Sequence, residues 1–189
     1  MRVFLAIAIP GEIQLKLAEA IKRLSPSSTG VKWVERGKFH LTVLFIGELP
    51  PSFLPHASEA VRKICAEIPS FELSIDGYGF WGTKRNPTSV WASADLPPEL
   101  ESLQEKLAKG LKRLGIKLGN DDYRPHITLG RCKAADKNRA LLEAMDQDEQ
   151  AEFGRFPVTT LNLYESRLTP KGPIYKTVEK FPLLPPAEE

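Results

Sequence analysis

The sequence predicts an α+β fold of two similar lobes related by a pseudo-twofold axis. Each lobe is expected to be an antiparallel-rich sheet with outer helices, with a cleft between the lobes. Three observations carry this. The first is a doubled motif. Phe39-His40-Leu41-Thr42-Val43-Leu44-Phe45 and Pro125-His126-Ile127-Thr128-Leu129 each set His-x-Thr in an apolar, partly β-branched run, which reads as a buried strand. The second is spacing. The histidines lie 126 − 40 = 86 residues apart, and adding 86 to a helix expected over 12–24 gives 98–110, inside another expected helix. The same shift carries 3–9 to 89–95 and 71–80 to 157–166, both read as strands, so the topology repeats where the letters do not. The third is the mixing of strands and helices through tight turns, which favours antiparallel sheets with helices on their outer faces.

In chain order, Val3–Ile9 is the first strand, stopped by Pro10-Gly11. Glu12–Leu24 is helical, with Ile13, Leu17, Ile21 and Leu24 at helical spacing. A Ser/Pro/Gly loop over 25–30 leads to a short strand, Val31–Glu35, and then to the first His-Thr strand, about Phe39–Ile46. After a turn over 47–52, a helix over about Phe53–Ile68 buries Leu54, Ala57, Val61, Ile64 and Ile68, with His56 in solvent near its start. Phe71–Phe80 and Ser89–Ala94 are strands joined by a basic loop, Gly82-Thr83-Lys84-Arg85-Asn86-Pro87. A helix over about Pro98–Leu114 turns Leu100, Leu103, Leu107, Leu111 and Leu114 inward. The second His-Thr strand ends near Gly130-Arg131, and a helix follows at about Ala134–Ala144. A polar loop, Asp146–Glu152, precedes a strand at about Pro157–Ser166. The turn Pro170-Lys171-Gly172-Pro173 leads to a last strand, Ile174–Val178, and the tail over 185–189 is expected to fray. The whole chain is expected to be one bilobal domain, with duplicated units of about 1–86 and 87–180.

Composition narrows the function. With 26 basic and 24 acidic residues the net charge is +2, which argues against a protein coated in nucleic acid but leaves room for a local basic cleft. Cys65 and Cys132 lack metal-type spacing; Cys65 falls on an apolar helix face, and a reduced, cytoplasmic setting fits. The apolar start, Met1 to Ile9, is too short for a signal peptide, and no run is long enough to span a membrane. A monomer is expected.

Side chains alternate faces along a strand, so His40 and Thr42 point the same way, roughly 7 Å apart, as do His126 and Thr128. Leu41, Val43, Phe45, Ile127 and Leu129 point the other way. One such motif is ordinarily a satisfied core histidine. Nine of 189 residues are Thr, so a given His has about a one-in-twenty chance of one two places on, yet two of three His do. His and Thr two apart form a poor ligand set, and neither motif has a Cys/His cluster or paired carboxylate nearby, so no metal and no cofactor is expected.

On these residues the chain resembles the 2H phosphoesterase superfamily, and within it the bacterial and archaeal RNA 2′,3′-cyclic phosphodiesterase branch, also named 2′-5′ RNA ligase. The resemblance extends over Arg2-Val3-Phe4-Leu5-Ala6-Ile7, Val31-Lys32-Trp33-Val34, Phe45-Ile46-Gly47-Glu48, Arg124 to Arg131 and the segment from Leu163 to Tyr175. It implies as substrate an RNA end or nucleotide carrying a 2′,3′-cyclic phosphate, opened to a 2′-phosphate. It also implies His40 as proton donor to the leaving oxygen and His126 as proton acceptor from water. The residue types suit that chemistry. Imidazole, with an ordinary pKa near 6.5, can both give and take a proton near neutrality, and Thr42 and Thr128 can donate to non-bridging oxygens.

Arg131 is a candidate phosphate contact, although strict alternation puts it on the wrong face unless the strand ends or bulges at Gly130. Arg124 has the right parity, and Phe4 and Tyr175 are candidates to stack on a base. Two other readings stand beside hydrolysis. One is an ATP-independent 2′-5′ ligase running the same chemistry in reverse, since no P-loop or adenylation lysine motif is visible. The other is a nucleotide- or RNA-binding module of the same fold without turnover, which would not need two proton carriers.

Overall fold

The computed structural model describes residues 1–119, 122–133, 138–170 and 172–185. Strand β1 (Arg2–Ala8) passes through Pro10 into α1 (Gly11–Leu24), followed by β2 (Val31–Trp33) and β3 (His40–Glu48). Helix α2 (Leu54–Cys65) leads to the hairpin β4 (Phe71–Gly82) and β5 (Pro87–Ala94), and then to α3 (Pro98–Arg113). The chain continues through β6 (His126–Cys132), α4 (Arg139–Asp146), β7 (Glu152–Val158), β8 (Thr160–Thr169) and β9 (Gly172–Pro182).

The fold is α+β, as expected, and its strands pair antiparallel into one sheet ordered β7-β4-β5-β6-β3-β1-β8-β9, with β2 added alongside β6. This order is symmetrical about the β6–β3 seam. β5 flanks β6 as β1 flanks β3, and β4 and β8 stand next outward. Each half mixes strands from both ends of the sequence, because β4 pairs with β5 while β8 pairs with β1. The seam itself is narrow, with a single register pair, Leu41 opposite Ile127.

Helical periodicity explains the covering layer. Helix α1 buries Ile13, Leu17, Ala20 and Leu24, and α3 buries Leu100, Leu103, Leu107 and Leu111. Each such leucine contributes roughly 1.5–3 kcal/mol by leaving water. Helix α1 packs on β7 and α4, whereas α2 and α3 pack on each other and reach β9 and β3. The helices and one sheet face form one core that includes Leu5, Ile7, Leu41, Val43, Ile127 and Leu129. The alternate residues, including both His-x-Thr pairs, are left on the other face. Cys65 is buried in that core, which pushes its thiol up to about 12, and His56 is exposed. Among the described residues, no helix is long and apolar enough to cross a membrane.

Several expectations need correction. The strand expected over 157–166 is two strands divided at Thr159, β7 pairing with β4 and β8 with β1. Only Thr159 separates the two strands, so the chain passes from one sheet half to the other with no intervening turn. Buried Phe156, Val158, Leu161 and Leu163 continue on either side, so no turn signal marks the change. Leu114 is 37% exposed because α3 ends at Arg113. Strand β9 runs on to Pro182, tied beyond its end by the Leu183 N–H donating to Thr159 O at 2.9 Å. The start of the helix expected at 134, residue 171 of the expected turn, and 186–189 of the expected frayed tail lie outside the described residues.

One polar clamp ties α1 to the loop before β7 and to β4. Arg23 donates to the Asp148 carboxylate at 2.9 Å, and the Tyr78 hydroxyl donates to the same group. Burial pushes the Asp148 carboxyl up, but the Arg23 and Tyr78 hydrogen bonds outweigh it and hold the group below the usual carboxylate range. A depressed folded-state pKa stabilises the fold above the unfolded pKa, and that contribution fades as pH falls through the folded value. Asp148→Ala is therefore expected to cost about 1–3 kcal/mol at neutral pH and to flatten the loss of stability below about pH 4. Urea melts of both proteins across that range check it; equal acid slopes would remove the clamp from the account.

Candidate active site

The seam register assembles the site. Leu41 and Ile127 are directly opposed and fully buried, so the residues on either side of each must point to the opposite face. Continuing the same antiparallel register (41 + 127 = 168) sets His40 beside Thr128 and Thr42 beside His126. All four are half-buried. The two motifs, expected to share a cleft, thus occupy adjacent strands at the centre of the sheet.

Both imidazoles are anchored alike. The Nδ1–H of His40 donates to Lys38 O at 3.0 Å, and the Nδ1–H of His126 donates to Arg124 O at 2.7 Å. A carbonyl can only accept, so each Nδ1 carries the proton and each Nε2 is the nitrogen that exchanges one. Burial pulls the pKa of His40 below the ordinary histidine value, the Lys38 hydrogen bond opposes this, and the charges of His126 and Arg131 add to the lowering. Burial also lowers His126, with a further contribution from Arg131.

Arg131 reaches the site through a bulge. Opposite β5, Trp91 faces Thr128 but Val90 faces Gly130, so Leu129 is an extra residue on β6. That one residue brings Arg131 onto the face of His126 and Thr128. The bulge recurs in β3, where Ala6 faces Thr42 and Leu5 faces Leu44, leaving Val43 extra. It brings Phe45, the positional counterpart of Arg131 (45 + 86 = 131), to the cleft face, where it is 59% exposed. The expectation that Phe45 points into the core is therefore wrong, because the alternation that predicts it breaks at Val43. Gly130 is needed where β2 crosses: a Cβ there would come within 2.7 Å of Val31 and 2.8 Å of Trp33. Lys32 pairs opposite Arg131 and adds a second cation.

Aromatic rings back each imidazole, differently on the two sides. His40 lies 5.0 Å from Phe4 and 4.9 Å from Tyr175, measured between ring centroids. Phe4 is only 2% exposed and stacks on Tyr164, so it supports His40 and forms part of a wall rather than projecting into solvent. With Lys38, His40, Tyr164, Tyr175 and Thr177 it lines a pocket of about 270 Å³. Burial pushes the Tyr175 hydroxyl up against the opposing pull of Arg131, Lys38 and Arg2. His126 lies 5.5 Å from both Trp81 and Trp91, and the Arg124 guanidinium sits over Trp81 at 5.4 Å.

Sequence reasoning missed Trp81, Trp91, Lys32 and the exposure of Phe45. The hairpin register held a clue, because Gly79 stands opposite Trp91. A glycine facing a large ring across a strand pair lets the ring lie over bare backbone, and here a Cβ at 79 would fall inside the Trp91 indole.

Two imidazoles fixed in the same tautomer, each with a threonine beside it across the seam and with Arg131 on the same face, make a candidate acid–base site suited to phosphoester chemistry. The chain belongs to the 2′-5′ RNA ligase superfamily, whose family model matches residues 13–169. An RNA 2′,3′-cyclic phosphodiesterase of Archaeoglobus fulgidus is 33% identical over 181 residues, covering 96% of this chain and 99% of the relative. The crystal structure of TT0787 of Thermus thermophilus aligns with a TM-score of 0.81 at 31% identity over 97% of this chain and 98% of its own. Escherichia coli LigT, solved in complex with 3′-AMP, aligns with a TM-score of 0.78 at 27% identity over 96% and 97% of the two chains.

Gly79→Ala is expected to push Trp91 off its seat and shift His126, lowering kcat by up to about 10²-fold in a folded protein. Steady-state kinetics beside a far-ultraviolet circular dichroism spectrum check this. A folded variant with unchanged kcat would mean that the indole does not hold the imidazole.

Proposed function

We propose that this protein opens RNA or nucleoside 2′,3′-cyclic phosphates by two-histidine acid–base hydrolysis, leaving a 2′-phosphate. The observation that carries the reading is the pair of Nδ1-anchored imidazoles on adjacent central strands, each presenting Nε2 to the same sheet face. The named relatives support the substrate class. The whole chain acts as one domain whose related units, about 1–86 and 87–180, each supply one His-Thr strand. The site is complete within one chain, so a monomer suffices.

The asymmetry of the rings supports the division of labour. The pocket beside His40 has the aromatic walls and the size to seat a nucleoside, so the ribose lies on that side of phosphorus. The leaving O3′ then faces His40 Nε2, which gives it a proton. Water approaches from the opposite side, in line with O3′, and loses a proton to His126 Nε2. A P–O bond to water forms as the P–O3′ bond breaks, and the phosphate remains on O2′. Thr42 and Thr128 donate to the non-bridging oxygens, and Arg131 and Lys32 offset their charge. Phe4 and Tyr175 bound the nucleoside pocket, with the Tyr175 ring edge-on to His40.

His40→Ala and His126→Ala should each lower kcat by at least ~100-fold. Loss of both should be little worse than the worse single change, since the two act as one unit. Activity should persist in excess chelator. Phosphorus NMR should show one product, the 2′-phosphate; mainly 3′-phosphate would reverse the placement of the ribose. Single substitutions that left turnover intact would favour a binding module.

The productive free enzyme has one neutral and one protonated imidazole. Both pKa values lie below the ordinary 6.5, so that form is depleted as pH rises past them. The profile of kcat/KM should be bell-shaped with its maximum on the acid side of about 6.5. The alkaline limb of kcat should lie higher, because a bound phosphate anion favours the imidazolium. A kcat/KM maximum well above about pH 7 would contradict the burial argument.

A further inference from the structure

The carbonyl that anchors His40 is carried by the loop between β2 and β3. At the start of that loop the Val34 N–H donates to Leu129 O of β6 at 2.7 Å. At its end Phe39 is buried in the core. Between them Glu35, Arg36 and Gly37 are exposed, and the Lys38 N–H closes a turn onto Glu35 O at 3.0 Å. Lys38, whose carbonyl receives the His40 Nδ1–H, thus follows three residues that pack little. Its ammonium pairs with Glu35 at 2.7 Å, but that carboxylate is 72% exposed, and such a pair holds a backbone weakly.

A side chain from α1 supplies a firmer tie. Gln14, the fourth residue of that helix, is half-buried, and its amide bonds in two directions. Its Nε2–H donates to Ile9 O at 2.9 Å, and its Oε1 accepts from the Gly37 N–H at 2.6 Å. Ile9 is buried and directly follows Ala8, which pairs with His40 across β1 and β3. Gly37 has φ +93°, so the chain turns sharply where Gln14 holds it, one residue before Lys38. The glutamine thus fixes the loop relative to the strand beside His40.

We infer that Gln14 is a positioning residue for the acid histidine. Through Gly37 it sets the place of the Lys38 carbonyl, and through that carbonyl the tautomer and direction of the His40 imidazole. This rests on the hydrolytic reading of the two histidines. An imidazole released from Lys38 O can carry its neutral-state proton on either nitrogen and can turn its Nε2 away from the leaving oxygen. His126 takes its anchor from Arg124 O, just before β6, and so serves as an internal control. A bridge that only stabilised the fold would leave both tautomers as they are.

The test compares full-length wild type with Gln14→Met, which keeps the length of the side chain without its hydrogen bonds. Nitrogen-15 NMR of histidine-labelled protein, above the titration of both residues, reads the tautomers. In Gln14→Met the His40 nitrogens should move toward a mixture of tautomers while those of His126 stay as in wild type. With a nucleoside 2′,3′-cyclic phosphate as substrate, kcat should fall by up to about 10²-fold, with a smaller change in KM. Gln14→Glu keeps an acceptor for the Gly37 N–H and should lie closer to wild type in both tautomer and kcat. Gln14→Asn, one methylene too short to span both partners, carries the same expectation as Gln14→Met and replaces it if that variant does not fold. An unchanged His40 tautomer in a folded variant, an equal change at His126, or an unchanged kcat overturns the inference alone. Absence of hydrolysis in wild type overturns the parent reading, and this one with it.

Discussion

The site depends on one backbone pairing, Leu41 against Ile127. Two strands that each carry His-x-Thr meet there antiparallel, and the alternation of side chains does the rest. The apolar partners point into a helix-covered core and cannot turn outward without losing roughly 1.5–3 kcal/mol each. The histidines and threonines are therefore directed to the open face. A slip of one residue in either strand would bury an imidazole and expose a leucine or isoleucine. The core thus specifies the geometry of the chemistry, although none of its residues takes part.

Around that seam the molecule is symmetrical in backbone and asymmetrical in side chains. The same single-residue bulge follows both motifs, yet it delivers Phe45 to one side and Arg131 to the other. One imidazole rests against Phe4 and Tyr175 beside a pocket; the other rests against Trp81 and Trp91 beside an exposed guanidinium. A pseudo-twofold frame offers two equivalent proton carriers, and only such differences can give them different tasks. Burial lowers the basicity of both imidazoles in the free protein, and in the proposed mechanism a bound anion would restore it at the one that acts as the acid.

The parts of this arrangement visible in the sequence were those written in local periodicity. Apolar spacing located α1 and α3, and the doubled His-x-Thr located β3 and β6 and fixed which of their residues share a face. What lay beyond local pattern was less visible. The division of one extended run into β7 and β8 at Thr159 depends on which distant strands they join, and no turn residue marks it. The side of the sheet taken by Phe45 depends on the bulge at Val43, and Arg131 needed the matching bulge that its parity seemed to demand. Trp91 owes its place to Gly79 across a hairpin, a relation between strands that appears only once their register is known.

The central claim is that both imidazoles are held as Nδ1–H tautomers with Nε2 facing one bound phosphate. Nitrogen-15 NMR of histidine-labelled protein reads this directly. Above its titration, the free protein should show a protonated Nδ1 and a bare Nε2 for both His40 and His126. Adding a nucleoside 2′-phosphate should convert one of the two, and only one, to imidazolium at a pH where both were neutral. An Nε2–H tautomer at either residue, or no change in protonation on binding, would contradict the account.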